Sequence, residues 1–339
     1  MNEPTKQPIT LALPSKGAIA DPTLSFLADC GLRVDKPNPR QYTGTIPAIP
    51  GVEVLFQRVT DVVYKVSDST VQFGITGLDV VREHPSDDLI VIHSDLRYGY
   101  CKLVVAVPES WIDVVTTADL AEVALDFRDT KRRNLRVATK YPNMTRQYFH
   151  AWGIHHFTLV NAEGAIEAAP TIGYADVIVD LAQTGTTLRE NHLKALPDGT
   201  LVESQACLVG NRRALRDPAV LNAARLLSER IDAALTGREY SQLSVNMRGE
   251  SAEAVARKVA ANALTHGLKG PTVAPIYGTD DGDGGWFTIG ITIPTKHLLP
   301  AVEYLRSVGA TQVIAAPVRY LFLDNSPTFA RLCAQLDNR

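Results

Sequence analysis

The sequence has no excess of positive charge: 34 lysines and arginines stand against 37 aspartates and glutamates, a formal net charge of -3. A chain that grips nucleic acid without regard to sequence needs such an excess to neutralise successive phosphates, so nucleic acid is not the expected partner. A small anionic ligand needs only local positive charge and stays open. Cysteine is scarce as well. Cys30, Cys101, Cys207 and Cys333 lie far apart with no CxxC pair, which points away from a zinc site or a disulfide framework and fits a reducing cytoplasm. No apolar run approaches the length of a membrane span, and the opening MNEPTKQP lacks the apolar core of a secretory signal. The expectation is a cytoplasmic protein with no membrane partner. What is present is an ordinary globular composition, 45% hydrophobic and 21% charged over 339 residues, long enough for two or three domains.

The most informative stretch is 177–188, VIVDLAQTGTTL. Val177, Ile178 and Val179 suit a buried strand that ends on the acid Asp180, and Thr184-Gly185-Thr186-Thr187 then form a polar turn into a helix-tolerant run from Leu188. A strand–loop–helix junction of this kind gathers backbone N–H groups and hydroxyls around a glycine that lets the main chain approach a ligand closely, which suits a phosphate. Asp180, at the rim, is placed to accept from sugar hydroxyls. A TGTT string by itself makes only a turn. The preceding strand and acid are what favour the phosphate-sugar reading.

The rest of the chain repeats one grammar of strand, polar loop and helix. Strands are expected at 9–13, 52–56 and 71–75, with helices at 21–30 (Asp21 as N-cap, Pro22 at N1), 61–66 and up to Glu83, and an irregular excursion over 35–50. Lys16, in the loop Pro14-Ser15-Lys16-Gly17, stands where α/β folds collect ligands. A second series follows with strands at 103–107, 135–139, 157–160 and 177–180 and helices at 118–125, 143–152 and 163–169. Two such series make two lobes with parallel or mixed sheets and a cleft between them. A strand at 201–209 returns to the first lobe, which makes the connection between lobes double, and a helix over 218–235 follows. The expected divisions are 1–100 with a return segment at 200–236 for the first lobe, 101–199 for the second, 240–323 for a third domain and 324–339 for a helical tail.

That third domain reads strand, helix, strand, strand, helix, strand at 241–247, 251–264, 272–277, 285–293, 295–308 and 312–316, the split βαβ of ferredoxin-like folds. Its acidic loop, Asp280-Asp281-Gly282-Asp283, is similar to part of a calcium loop. It lacks the later glutamate and joins two strands, so a solvated hairpin connection is expected there.

The run from Glu167 through Asp180 to Leu188, EAAPTIGYADVIVDLAQTGTTL, resembles the signature of ATP phosphoribosyltransferases. LALPSKG at 11–17, GITG at 74–77 and RVATKYPN at 136–143 support it, and the terminal domain, with Gly270-Pro-Thr272 and Val308-Gly-Ala310, resembles the regulatory domain of the family's long form. The resemblance implies a two-lobed core of periplasmic-binding-protein type (type II) with a C-terminal ferredoxin-like (βαββαβ) regulatory domain. It also implies a glycosyltransferase of histidine biosynthesis. In that reaction N1 of the ATP adenine attacks C1 of phosphoribosyl pyrophosphate with Mg2+ present, and histidine inhibits a homohexamer by feedback. It casts Glu167 and Asp180 as catalytic, Asp180 with Thr184, Gly185, Thr186 and Thr187 as the phosphoribosyl pyrophosphate site, and Lys16, Arg58, Thr76 and Gly77 as contacts to ATP or pyrophosphate. Leu268 and Thr272 become allosteric contacts. A dedicated metal cage is not expected, because magnesium held chiefly by pyrophosphate and water leaves little trace in a sequence.

Two positions depart from the family pattern. Ala18 stands where an arginine usually follows the lysine-glycine pair, and Gln183 stands where many members carry glutamate. Two other readings stay open at this point. A prephenate-dehydratase-like enzyme would use Thr145-Arg146, but Gln147 replaces the expected phenylalanine. A non-catalytic small-molecule sensor or regulatory subunit on the same fold would need no intact phosphate loop.

Overall fold

The computed structural model describes residues 8–38, 41–162, 164–277 and 285–337, so the acidic loop at 280–283 lies outside the described residues. The chain divides into two compact units, Met1–Ala28 with Leu32–Ala224, and Asp29–Gly31 with Arg225–Asn338.

The first unit holds two sheets. In chain order the first lobe comprises β1 (Ile9–Pro14), α1 (Ala20–Asp29), β2 (Thr43–Thr45), β3 (Val52–Gln57), α2 (Val59–Ser67), β4 (Phe73–Gly77), α3 (Leu78–Glu83) and β5 (Leu89–His93). The second comprises β6 (Cys101–Pro108), α4 (Thr117–Asp129), β7 (Leu135–Thr139), α5 (Pro142–Ala151), β8 (Phe157–Asn161), β9 (Val177–Ala182), α6 (Thr186–Glu190) and β10 (Leu193–Ser204). β11 (Ala206–Asn211) then returns, giving the orders β2-β3-β1-β4-β11-β5 and β10-β6-β9-β7-β8. β1 pairs parallel with both β3 and β4, and its last four residues are buried, as a strand covered on two faces must be. Val62, Val63 and Val66 form the buried stripe of α2 and pack with Ala12, Cys207 and Val209. The second lobe has its own core, in which Leu103, Val105, Leu135, Val137, Val177 and Val179 pack with Phe127 and Phe149.

The expected strand at 201–209 is two strands. β10 ends antiparallel to β6 with Ser204 opposite Cys101, and β11 starts antiparallel to β4 with Ala206 opposite Gly77. A strand can complete the ladder of only one sheet at a time, so Gln205 is where the chain changes sheets and the second crossing is made. Three further readings change. α1 begins at Ala20, so Asp21 and Pro22 stand inside its first turn. The irregular segment at 35–50 contains β2, paired with β3, and a bridge from Asp35 to Thr45. β5 was not anticipated; Ile90 and Ile92 bury one face of it.

α7 (Pro218–Gly237) leads into the second unit, where β12 (Tyr240–Gly249), α8 (Ala252–Ala260), β13 (Thr272–Ile276), β14 (Gly285–Pro294), α9 (Leu298–Ser307) and β15 (Ala310–Pro317) follow. The sheet order β13-β14-β12-β15 with antiparallel neighbours throughout is the ferredoxin-like arrangement. Ser251 caps α8 by accepting the Ala254 N–H at 3.2 Å. The tail forms α10 (Pro327–Asp337), whose start is held by Asp232 through the Ser326 hydroxyl at 2.5 Å and the Thr328 N–H at 3.1 Å. Among the described residues no helix is long and apolar enough to cross a membrane.

The contact of α2 with β4 depends on the absence of a side chain at Gly74. A Cβ there would overlap Val62 Cγ1 and come within 3.1 Å of Val66 Cγ2. Gly74→Ala is therefore expected to destabilise the chain by about 1–3 kcal/mol, the usual cost of overpacking, read as a lower urea midpoint. An unchanged midpoint would contradict this packing.

Candidate active site

β9 is the central strand of the second lobe, between β6 and β7, and its apolar half is buried on both sides. Its entry is fixed by Asp176, which accepts the Arg136 N–H at 2.8 Å and the guanidinium of Arg133 at 2.6 and 2.9 Å. Burial pushes the Asp176 carboxyl up, but these hydrogen bonds, those of the Arg136 guanidinium and the Arg133 charge together hold it well below the usual carboxylate range. At the other end the ladder with β7 stops at Val179, so Asp180 emerges at the carboxyl end of the strand, where α/β sheets bind ligands.

The turn that follows is shorter than the sequence suggests, because β9 runs on to Ala182 and α6 already starts at Thr186. Gly185 sits at φ +70°, a left-handed conformation that suits glycine, and serves as the N-cap of α6. Leu188 is buried in the second lobe and anchors the turn, while Thr184, Thr186 and Thr187 are exposed. The Thr184 and Thr186 hydroxyls are 3.0 Å apart, and Arg189 Nη2 donates to the Thr186 hydroxyl at 3.3 Å. The loop thus carries three hydroxyls, a glycine and a guanidinium at its foot.

Asp180 and the residues from Thr184 to Leu188 line a cavity of about 420 Å³ that also receives Lys16, Gly77 and Glu167. That volume falls in the range of roughly 300–1,000 Å³ typical of small-molecule sites. Glu167 is carried by a short 3-10 turn whose neighbours Ile166 and Ala169 are fully buried. Two of the anticipated residues stand elsewhere. Thr76 is buried and its hydroxyl donates to the Val59 carbonyl at 2.9 Å, and Arg58 is exposed at the start of α2, outside the cavity lining. In the second unit Leu268 is half exposed and Thr272 opens β13.

Sequence reasoning missed Asp79, Cys101, Tyr141 and Arg189. Asp79 and Tyr141 line the cavity and bond to each other, the tyrosine hydroxyl donating to Oδ2 at 2.7 Å. Burial, the Asp79 charge and that hydrogen bond push the Tyr141 hydroxyl far above its ordinary range, so it stays protonated. Asp79 lies just past the recognised stretch Gly74–Gly77, and Tyr141 lies within RVATKYPN. The two are 62 residues apart along the chain, so no local pattern connects them.

Burial raises the Asp180 carboxyl above the ordinary range, the Leu181 N–H and the Lys140 charge oppose this, and the Glu167 charge adds to it. A raised carboxyl favours folding at low pH, and that contribution is lost as pH rises through the folded pKa, so an ionised Asp180 is held at a cost to stability. Such a group is expected where charge is needed for chemistry. Among the described residues no group of three or more His, Cys, Asp or Glu side chains is placed to hold a metal ion. In Lys140→Met the Asp180 carboxyl is expected to titrate higher than in the parent chain, read by carboxyl 13C NMR; a downward move would contradict the assigned electrostatics.

Comparison with known proteins adds to this geometry. A family model described as ATP phosphoribosyltransferase matches residues 58–233, and a second, described as HisG, C-terminal domain, matches 237–320. ATP phosphoribosyltransferase 2, chloroplastic, of Arabidopsis thaliana is 40% identical over 336 residues, 98% of this chain and 81% of that protein. The ATP phosphoribosyltransferase of Bradyrhizobium sp. (strain ORS 278) is 36% identical over 332 residues, 97% of this chain and 98% of that protein. Among solved structures, an ATP phosphoribosyl transferase (HisG:HisZ) complex from Thermotoga maritima shares the fold with a TM-score of 0.51 at 24% identity, covering 66% of this chain and 98% of that one. With both family models matched in order and relatives aligned over nearly its whole length, the chain belongs to the ATP phosphoribosyltransferase family, in the long form that carries a C-terminal regulatory domain.

Proposed function

We propose that this protein transfers the phosphoribosyl group of phosphoribosyl pyrophosphate to N1 of the adenine of ATP, the first step of histidine biosynthesis. The observation that carries the reading is the convergence of Asp180, the Thr184–Thr187 loop, Glu167 and Lys16 on one cavity. The C1–N1 bond forms as the C1–O bond to pyrophosphate breaks, and the bonding pair leaves with pyrophosphate. Positive charge builds on the ribose and negative charge on the leaving group, so positioning and electrostatics do the work and no protein nucleophile is needed.

In this reading the loop hydroxyls and N–H groups hold the 5-phosphate, and Asp180 and Glu167 face the ribose hydroxyls and the developing cation. Lys16 meets phosphate oxygens from the first lobe. Arg58 and Thr76 fall outside this core set, since one lies beyond the lining and the other spends its hydroxyl internally. The carboxyl pair also fits magnesium: burial and the Glu167 charge both raise Asp180, and a cation beside the pair relieves that. Magnesium carried by pyrophosphate would be held through water by Asp180 and Glu167 and would supply neutralisation of the leaving group. Asp79 is not offered for this role, because Ser204 and Tyr141 already occupy its two oxygens.

The same reading assigns the second unit to feedback inhibition by histidine, with Leu268 and Thr272 as contacts, in a homohexamer. The purified chain with ATP, phosphoribosyl pyrophosphate and magnesium is expected to form phosphoribosyl-ATP, followed by its absorbance. Asp180→Asn is expected to lower kcat by about 10²-fold or more, the scale of losing one electrostatic contact to the transition state. Leu268→Glu is expected to keep the uninhibited rate and lose sensitivity to histidine. No turnover by the parent chain, with or without histidine, would overturn the reading and favour a non-catalytic sensor on this fold.

A further inference from the structure

α5 begins without a cap of its own. Its N-cap position is Tyr141, which makes no side-chain capping bond, so the first N–H groups of the helix need a partner from elsewhere. Glu83, the last residue of α3 and a member of the other lobe, supplies it. Its Oε1 accepts the Asn143 N–H at 2.8 Å, its Oε2 accepts the Met144 N–H at 3.0 Å, and Asn143 Nδ2 donates to the Glu83 carbonyl at 3.0 Å. Glu83 is 1% exposed, so the bonds are shielded from water and from salt.

The opposite end of α3 is tied in the same way. Asp79, 4% exposed, accepts the Ser204 hydroxyl at 2.6 Å and the Tyr141 hydroxyl at 2.7 Å, and its own N–H donates to Ser204 Oγ at 2.9 Å. Ser204 closes β10 and Tyr141 precedes α5, so both partners belong to the second lobe. The six residues of α3 therefore act as a strut, with one buried carboxyl at each end committed to the joint.

We propose that Glu83 is a positioning residue for phosphoribosyl transfer: by capping α5 from the facing lobe it sets where Tyr141, a wall of the cavity, stands relative to Asp180 and the phosphate loop. The role rests on the transferase reading given above. Its consequence is a separation of the two substrates. Asp180, Glu167 and the Thr184–Thr187 loop all lie in the second lobe, so the 5-phosphate and ribose contacts of phosphoribosyl pyrophosphate do not depend on the strut, and only the Lys16 contact to phosphate oxygens reaches across from the first lobe. Bringing adenine N1 to ribose C1 needs both walls in register, and that depends on the strut.

Glu83→Gln in the full chain keeps the side-chain length but turns an amide donor toward one of the two N–H groups. Three results are expected. Phosphoribosyl pyrophosphate binds with close to the parent's affinity by calorimetry, kcat/KM for ATP falls by about 10-fold or more, and the Asn143 and Met144 amides exchange faster in the ligand-free protein. Asn143→Ala, which removes only the bond to the Glu83 carbonyl, is expected to shift kcat/KM for ATP in the same direction by less, and it decides the matter if Glu83→Gln does not fold. Equal losses in both substrates, or faster exchange with unaltered kcat/KM for ATP, would overturn the role. Turnover by the parent with an unaffected Glu83→Gln overturns the role alone, whereas a parent chain without turnover overturns the transferase reading beneath it.

Discussion

The change of sheet at Gln205 is the constraint on which the catalytic unit depends. One residue separates the last strand of the second lobe from a strand that must lie between β4 and β5 of the first. Gln205 is held from both sides: its carbonyl accepts the Leu78 N–H at 2.9 Å, and its Nε2 donates to the Ser94 carbonyl at 2.7 Å in the other crossing segment. The two crossings are laced further by the Ala206 N–H to the Tyr98 carbonyl and the Leu96 N–H to the Ala206 carbonyl, both 3.0 Å. With the crossings joined, β4 ends and α3 begins beside the carboxyl end of β9. A cleft follows from the topology, and the cavity side chains are those that the strand ends present to it.

What was legible in the sequence is what depends on neighbours along the chain. The β9–loop–α6 junction could be read because a run of β-branched residues, an acid, a glycine and three threonines stand within twelve residues, and each has a local reason to be there. The ferredoxin-like order could be read because each of its elements is bounded by a cap, a proline or a glycine, as Ser251 shows for α8. The split at Gln205 could not, because 201–209 is uniformly strand-like and only pairing partners a hundred residues away decide which sheet each half joins. Asp79 and Glu83 were opaque for the same reason. Their oxygens are used by Tyr141, Ser204, Asn143 and Met144, none of which a local pattern connects to α3.

The two walls of the cleft differ in chemistry. The second lobe offers hydroxyls and carboxyls from Thr184, Thr186, Thr187, Asp180 and Glu167, while the first offers Ala18, Ile19, Val59 and Val80 around Lys16, Gly77 and an Asp79 whose oxygens are bonded to Tyr141 and Ser204. A polar wall facing a largely apolar one suits a ligand with phosphates and ribose on one side and a flat base on the other. Ala18 makes the first wall less charged than the family pattern implies. Positive charge near the phosphate loop comes instead from Arg189, bonded to Thr186, and from Lys140, whose charge acts on Asp180. In the proposed site these two residues of the second lobe add to Lys16 of the first.

The central claim is that the Thr184–Thr187 loop holds the 5-phosphate of phosphoribosyl pyrophosphate with Asp180 and Glu167 on the ribose side. A crystal structure of the full chain grown with phosphoribosyl pyrophosphate and magnesium tests it most directly. The account predicts the 5-phosphate within hydrogen-bond distance of the Thr184 to Thr187 N–H groups and hydroxyls, with C1 facing the Lys16 wall. A 5-phosphate seated elsewhere, or a ribose turned away from Asp180, would contradict it.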